Sequence, residues 1–193
     1  MYIGRFLVVA PNFAAYRVSS RSFPHRKIIK HADNLTVTPT PEAPPTDNPY
    51  ISYNCLQVND STAIIGNGSH VDPIAEKLEM GYPARDALAM SLLSMDYEKD
   101  EYSTPRIAGI LGPNAYIGIV RPDALIIKSV SEPTLIATYQ EVHPTPFDIT
   151  PGETPDETAR RVLRLDYGHP VCAGAVHQSQ EEFEMGYINQ TDM

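Results

Sequence analysis

The chain has 193 residues, 42% of them hydrophobic and 20% charged, with 24 acidic against 15 basic side chains and a formal net charge of −9 at pH 7. That length and balance predict one globular domain spanning 1–193, and the acidic surplus argues against a nucleic-acid partner. No stretch approaches the ~18 to 20 apolar residues of a membrane span, so no membrane partner is expected. The apolar run before Pro11 has neither the length nor the small-residue cleavage site of a signal peptide, and Cys55 and Cys172 are too few for a disulfide framework. The expected location is therefore the cytoplasm.

Residues 2–10 and 13–20 read as two strands joined at Pro11-Asn12, followed by a short extended piece from Lys27 to Lys30. Thr38 to Pro49 contains five prolines and almost no apolar mass, which makes it a surface loop. Strands are predicted over 50–58 and 61–66, separated by the turn pair Asn59-Asp60. The period then changes. Asp72-Pro73 reads as an N-cap with proline at the first helical position, and Gly81 ends that helix. Pro83 opens a second helix, with Ala84, Ala87, Leu88, Met90, Leu92 and Met95 as its buried side. A strand meander follows over 106–111, 115–121, 124–130 and 134–140, broken at Gly112-Pro113-Asn114 and Arg121-Pro122-Asp123. Thr154-Pro155-Asp156-Glu157 is a capping-box start for a last helix to about Leu165. This order lacks the regular βα alternation of a doubly wound fold. It predicts an α+β fold of mainly antiparallel sheets covered by helices, a four-layer arrangement with two sheets in the middle.

Charge is unevenly spread. Residues 1–30 carry Arg5, Arg17, Arg21, Arg26, Lys27 and Lys30 with no acid, so a positive island sits in an acidic chain. Such an island either focuses field on a small anion or keeps an edge strand soluble. Within it, Tyr16-Arg-Val-Ser-Ser-Arg-Ser-Phe-Pro-His-Arg-Lys27 combines guanidinium forks with serine hydroxyls, a donor set suited to phosphate. On a strand, Tyr16, Val18 and Ser20 share one face and Arg17, Ser19 and Arg21 the other, and Pro24 turns Arg26 and Lys27 back toward the same anion.

The same segment, with Met1-Tyr2-Ile3-Gly4-Arg5 before it, resembles the opening of the archaeal-type IMP cyclohydrolases. Tyr53-Asn54-Cys55, Gly66-Asn67-Gly68-Ser69, Gly81-Tyr-Pro-Ala-Arg-Asp-Ala-Leu88 and Asp100-Glu-Tyr-Ser-Thr-Pro-Arg-Ile-Ala-Gly109 resemble the same family. The resemblance implies the αββα sandwich of the N-terminal-nucleophile hydrolases. It also implies closure of 5-formamidoimidazole-4-carboxamide ribonucleotide to IMP with release of water. Position 2 is Tyr2, not the Cys, Ser or Thr of an N-terminal nucleophile, so no covalent intermediate is assigned.

Ring closure asks for a base at the carboxamide nitrogen, donors for the charge developing on the formyl oxygen, and a proton for that oxygen as it leaves. The resemblance and this demand nominate Arg21, Tyr53, Asn54, Glu101 and Tyr102 as catalytic residues. Arg17, Ser20, Arg26, Lys27, Asn67 and Arg106 are the nominated substrate ligands. Each has a plainer reading: Glu101 as a solvated member of the acidic run from Asp96, Tyr53 as core. No cofactor is expected, and the histidines show no metal-binding spacing. Cys55 reads as a buried inert thiol, and His70 as a residue of the Gly66–Ser69 turn. The partner is thus a purine ribonucleotide, with exposed edge strands compatible with a homo-oligomer. The competing readings are a non-catalytic nucleotide-binding protein on the same fold and an amide hydrolase, the latter disfavoured by Tyr2.

Overall fold

The computed structural model describes residues 1–180 and 182–192. Phe6–Val9 (β1) and Phe13–Ser19 (β2) form an antiparallel hairpin around Pro11-Asn12, in which Ala10 N–H donates to Phe13 O at 2.8 Å. Every residue of both strands is buried, so each face of the pair needs its own cover. Side chains alternate between those faces: Leu7, Val9, Ala14, Tyr16 and Val18 point one way, Phe6, Val8, Phe13 and Ala15 the other.

The chain then builds a second sheet from Arg26–His31 (β3), Asn34–Pro39 (β4), Tyr53–Val58 (β5), Ala63–Gly66 (β6), Arg106–Leu111 (β7), Ala115–Arg121 (β8) and Ala124–Val130 (β9). These strands are neighbours in chain order and antiparallel throughout. Two helices, Val71–Glu79 (α1) and Ala84–Met95 (α2), interrupt the chain between the adjacent β6 and β7. Thr134–Ala137 (β10), Thr145–Pro146 (β11), the helix Pro155–Leu163 (α3), Pro170–Ser179 (β12) and Glu182–Asn189 (β13) return to the first sheet, whose order is β11-β10-β1-β2-β12-β13.

Three apolar clusters fix the packing. Leu7, Tyr16 and Val18 meet Ile28, Leu56, Ile65, Ile107 and Ile117 between the two sheets. Phe6, Val8 and Ala173 meet Ala159, Val162 and Leu163 of α3. Ile64, Ala108 and Ile110 meet Ile74, Leu88 and Leu92 of α1 and α2. The chain is α+β, with two antiparallel sheets and three α-helices among its described residues. No helix of that set is long and apolar enough to cross a membrane.

The sequence reading differs from the structure in several elements. It leaves β4, β11, β12 and β13 unassigned, and its strand 134–140 ends at Ala137 and joins β1 instead of extending the meander. The first helix is capped at His70 without a side-chain bond. Asp72 lies inside that helix, where its carboxylate accepts from Asn54 Nδ2 at 2.9 Å. Met90, expected on the buried side of α2, is 46% exposed. Thr154 does cap α3, accepting from Glu157 N–H at 3.2 Å, and Gly81 ends α1 at φ +85°.

One side chain joins an edge of each sheet. Asn189 of β13 accepts from Ile28 N–H at 2.7 Å and donates back to Ile28 O at 3.2 Å. Its carboxamide thus stands in for a neighbouring strand at the edge of β3. Asn189→Ala leaves a buried donor and acceptor unpaired, and we expect a loss of about 2–4 kcal/mol in urea unfolding. A loss under about 0.5 kcal/mol, the usual range for a neutral surface change, rejects this role.

Candidate functional site

At Ser19 the first sheet ends, and the chain crosses to the second through Ser20–His25. This crossing is stiff. Ser20 N–H donates to His169 O at 3.0 Å, Ser20 Oγ accepts from Phe23 N–H at 3.0 Å, and Arg26 Nε donates to Phe23 O at 3.0 Å. It forms one wall of a cleft of ≈ 980 Å³, whose remaining walls are the N-terminal Tyr2–Arg5 region, the loop around Tyr50, residues 98–104 and Thr138-Tyr139. That volume lies within the range of small-molecule sites.

Behind the cleft lies an ion pair. Arg5 Nη2 meets Glu98 Oε2 at 2.7 Å, with side-chain exposures of 11% and 2%. Arg5 Nη1 donates to Asn67 O at 3.0 Å. Burial alone lowers the Arg5 pKa; the Glu98 carboxylate, with Tyr53 and Tyr16 close by, more than reverses this and holds the guanidinium charged. Glu98 Oε1 is buried at the cleft and takes no hydrogen bond among the described residues. A buried carboxylate oxygen without a donor is costly to keep, so this one has unused capacity to accept a hydrogen bond.

Two further arginines line the cleft without an ion pair among the described residues. Arg21 is exposed, and its Cζ stands 4.1 Å from the centre of the Tyr2 ring. Arg26 is buried to 6% exposure. Tyr2 in turn packs edge-on against His169 at 5.6 Å, so the Arg21 head rests on a fixed aromatic surface. On the acidic side, the Asp100 carboxylate accepts from Thr104 N–H at 2.8 Å, Thr104 Oγ1 at 2.6 Å and Tyr102 N–H at 3.2 Å. The loop it organises carries Glu101 and Tyr102, both exposed at the rim, Tyr102 to 77%.

A second cavity, ≈ 890 Å³, opens at the opposite end of the second sheet, between the β3–β4, β5–β6 and β7–β8 turns. Asp33, Asp60 and Glu79 line it with no Arg or Lys, and none of the sequence candidates is there. The cationic cleft is the one equipped for an anionic ligand.

A sequence model of the family described as IMP cyclohydrolase-like protein matches residues 2–182. The chain belongs to the IMP cyclohydrolase-like family. Proteins named IMP cyclohydrolase from Natronomonas pharaonis and Haloarcula marismortui are 59% and 54% identical to it, each alignment covering 98% of this chain and 99% of the relative. One of the same name from Methanocella arvoryzae is 43% identical over 98% of both chains.

The segments that carry the resemblance to the IMP cyclohydrolases divide between cleft and scaffold. Ser20, Arg21, Arg26, Glu101 and Tyr102 line the cleft. Arg17 does not. Strand alternation sends it to the opposite face of β2, fully buried, where it donates to Ser19 Oγ and to the carbonyls of Val162, Leu165 and Tyr167 at the end of α3. Burial, partly opposed by Tyr167, lowers its pKa to about 10. Lys27 follows Arg26 on β3 and points away from the cleft lining. Asn54 likewise lies opposite to Tyr53, accepting from Thr36 Oγ1 at 2.8 Å and donating to Asp72. Tyr53 is in the core between the sheets, its hydroxyl 2.7 Å from that of Tyr16. Burial first, and each other's proximity for Tyr16, push both phenol pKa values up. Asn67 is fully buried and ties Pro105 O and Ile107 N–H together. Arg106 stands behind the wall, with Nε on Asp96 O at 2.8 Å.

The sequence reading nominated neither Arg5 nor Glu98 for the site. Arg5 offered a signal: a lone charge entering a buried apolar strand requires a partner. Among the described residues no cluster of three or more His, Cys, Asp or Glu is placed to hold a metal.

These placements separate stability from binding. Arg17→Ala strands three carbonyls at α3, so we expect about 2–5 kcal/mol less stability in urea with IMP affinity, measured under folding conditions, within about twofold. Lost affinity at full stability reverses the assignment. His70 is fully buried, with Nε2 on Ile107 O at 2.9 Å, and burial pushes its pKa down to about 3. An unfolded histidine titrates near ~6.5. Its contribution is therefore complete above that pH and is lost as pH falls toward 3. Replacing His70 by Gln should flatten the stability profile between about pH 6.5 and 5 by up to about 1.4 kcal/mol per unit, and an unchanged slope rejects a neutral buried His70.

Proposed function

We propose that the chain is an IMP cyclohydrolase, closing 5-formamidoimidazole-4-carboxamide ribonucleotide to IMP in purine synthesis. The observation that carries the reading is the Glu98 carboxylate, clamped by Arg5 through one oxygen and unpartnered at the other, in a cleft that also holds Arg21 and Arg26. Family membership and relatives named for this activity support it.

In ring closure the carboxamide nitrogen attacks the formyl carbon; one hydrogen from that nitrogen and the one on the formamido nitrogen leave with the formyl oxygen as one water. Glu98 Oε1 takes the first proton as the C–N bond forms and returns it to the departing oxygen, while Arg5 fixes the carboxylate's position. Arg21 and Arg26, with the Ser20 hydroxyl beside them, bind the phosphate through charge-assisted bonds. Glu101 and Tyr102 meet the substrate at the rim. We assign no covalent step: Tyr2 occupies position 2 and its ring is engaged with Arg21.

The packing of two sheets between α3 on one side and α1 with α2 on the other supports a four-layer αββα sandwich of the N-terminal-nucleophile hydrolase type. We read it as one catalytic domain, working in the cytoplasm on a small anionic substrate. The alternative, a nucleotide-binding protein without activity, shares the arginines but gives the free Glu98 oxygen no task.

The deciding experiment mixes purified protein with the formamido ribonucleotide and follows IMP by absorbance and chromatography. Saturable turnover is expected, with kcat reduced about 10²–10⁴-fold in Glu98→Gln while IMP still binds. Arg26→Ala should act mainly on KM, by about 10-fold or more for a lost charge-assisted bond. Tight IMP binding without turnover by the wild type leaves only the binding-protein reading.

A further inference from the structure

Arg106 opens β7, is 5% exposed and is not part of the cleft lining. Its guanidinium nevertheless reaches both sides of the turn that carries Glu98. Nε donates to Asp96 O at 2.8 Å. Asp96 has φ 54°, a left-handed conformation that a non-glycine residue keeps only where its surroundings hold it. Cζ stands 5.6 Å from the centre of the Tyr50 ring, and the Tyr50 hydroxyl accepts from Lys99 N–H at 3.0 Å. One side chain thereby grips residue 96 directly and residue 99 through Tyr50, and Glu98 lies between them.

We infer that Arg106 is a positioning residue for ring closure, holding the 96–99 turn so that the free oxygen of Glu98 faces the substrate. This inference rests on the reading of Glu98 as the base. The surroundings of Arg106 fit the role. Its head lies in the hollow left by Gly68, where an added Cβ would come 2.9 Å from Nη1. The other group in that hollow is His70 Nδ1, 3.3 Å from the same point. His70 is uncharged at neutral pH, since its Nε2 hydrogen is committed to Ile107 O and burial opposes a second proton. No carboxylate competes for Arg106 from that side. Burial lowers the Arg106 pKa, and the strongest opposing influence on it is the Glu98 carboxylate.

A substrate ligand and a positioning residue leave different kinetic traces. The experiment compares steady-state ring closure and thermal unfolding in the wild type, Arg106→Gln, Arg106→Lys and Gly68→Ala. Misplacement of a catalytic group by about 1 Å lowers rate about 10²-fold. We therefore expect kcat of Arg106→Gln to fall about 10- to 100-fold with KM changed less than about threefold. Arg106→Lys, which keeps the charge and a donor for Asp96 O, should recover most of that loss. Gly68→Ala keeps Arg106 but displaces its head, and should lower kcat in the same direction. A raised KM at unchanged kcat makes Arg106 a substrate ligand and overturns the inference, as do wild-type kinetics in Gly68→Ala even if Arg106→Gln does not fold. Unaltered variants beside an active wild type remove this inference alone. A wild type that forms no IMP removes the proposed function as well.

Discussion

A carboxylate and a guanidinium buried together at 2.7 Å are held in place only if both are fixed from behind. Each ion loses several kcal/mol of hydration on burial, and the pair recovers that loss only with good geometry and additional hydrogen bonds. Here the support comes from backbone. Arg5 spends Nη1 on the carbonyl of Asn67, and Asn67 spends its own side chain on Pro105 O and Ile107 N–H. Glu98 N–H donates to Thr104 O at 2.8 Å. The pair therefore welds the start of β1 to the connection between α2 and β7, and the cleft takes its shape from that junction. What remains without a partner among the described residues is one oxygen of Glu98.

Charge around the junction is unbalanced on purpose of geometry, not by accident of composition. Arg5, Arg26 and Arg106 are all largely buried near the cleft, where Glu98, paired with Arg5, is the buried carboxylate. His70 adds nothing to either side because burial keeps it neutral. Tyr16 and Tyr53, their pKa values raised by burial, remain uncharged hydroxyls beside Arg5. A local positive surplus follows inside a chain whose net charge is −9. Such a contrast focuses the field on the cleft, where the low-dielectric walls strengthen it.

Strand periods made most of the architecture readable. The hairpin of β1 and β2, the meander from β7 to β9 and the cap at Thr154 all follow from local pattern. β12 escaped because its run Val171-Cys-Ala-Gly-Ala-Val176 is buried on both faces and so shows no alternation. β13 alternates weakly at an edge, with Glu182 and Glu184 facing water. The cleft was half legible. The segment Tyr16–Lys27 supplies one wall of the candidate cleft, but its residues part company where the strand ends. Arg17, still inside β2, follows the alternation to α3, whereas Arg21, past the end of the sheet, is free to reach the cleft. Glu98 was invisible for a different reason. Nothing local distinguishes it from the acids around it, because its burial depends on Arg5, 93 residues away.

Tyr2 connects the fold to the chemistry. On the proposed αββα reading, position 2 is where a nucleophilic side chain would act; Tyr2 lines the cleft, between Tyr139 and His169. The phenol ring instead supports the Arg21 guanidinium at 4.1 Å. On the proposed reading, a position that would hold a covalent attacker instead supports an anion-binding arginine. Ring closure suits this exchange, because the substrate carries its own nucleophile and electrophile on adjacent ring carbons. The protein has only to hold the phosphate, bring the formyl carbon to the carboxamide nitrogen and place a base beside it. On the proposed reading the stacked arginine and the clamped carboxylate meet these demands, each on a connection held by hydrogen bonds to its surroundings.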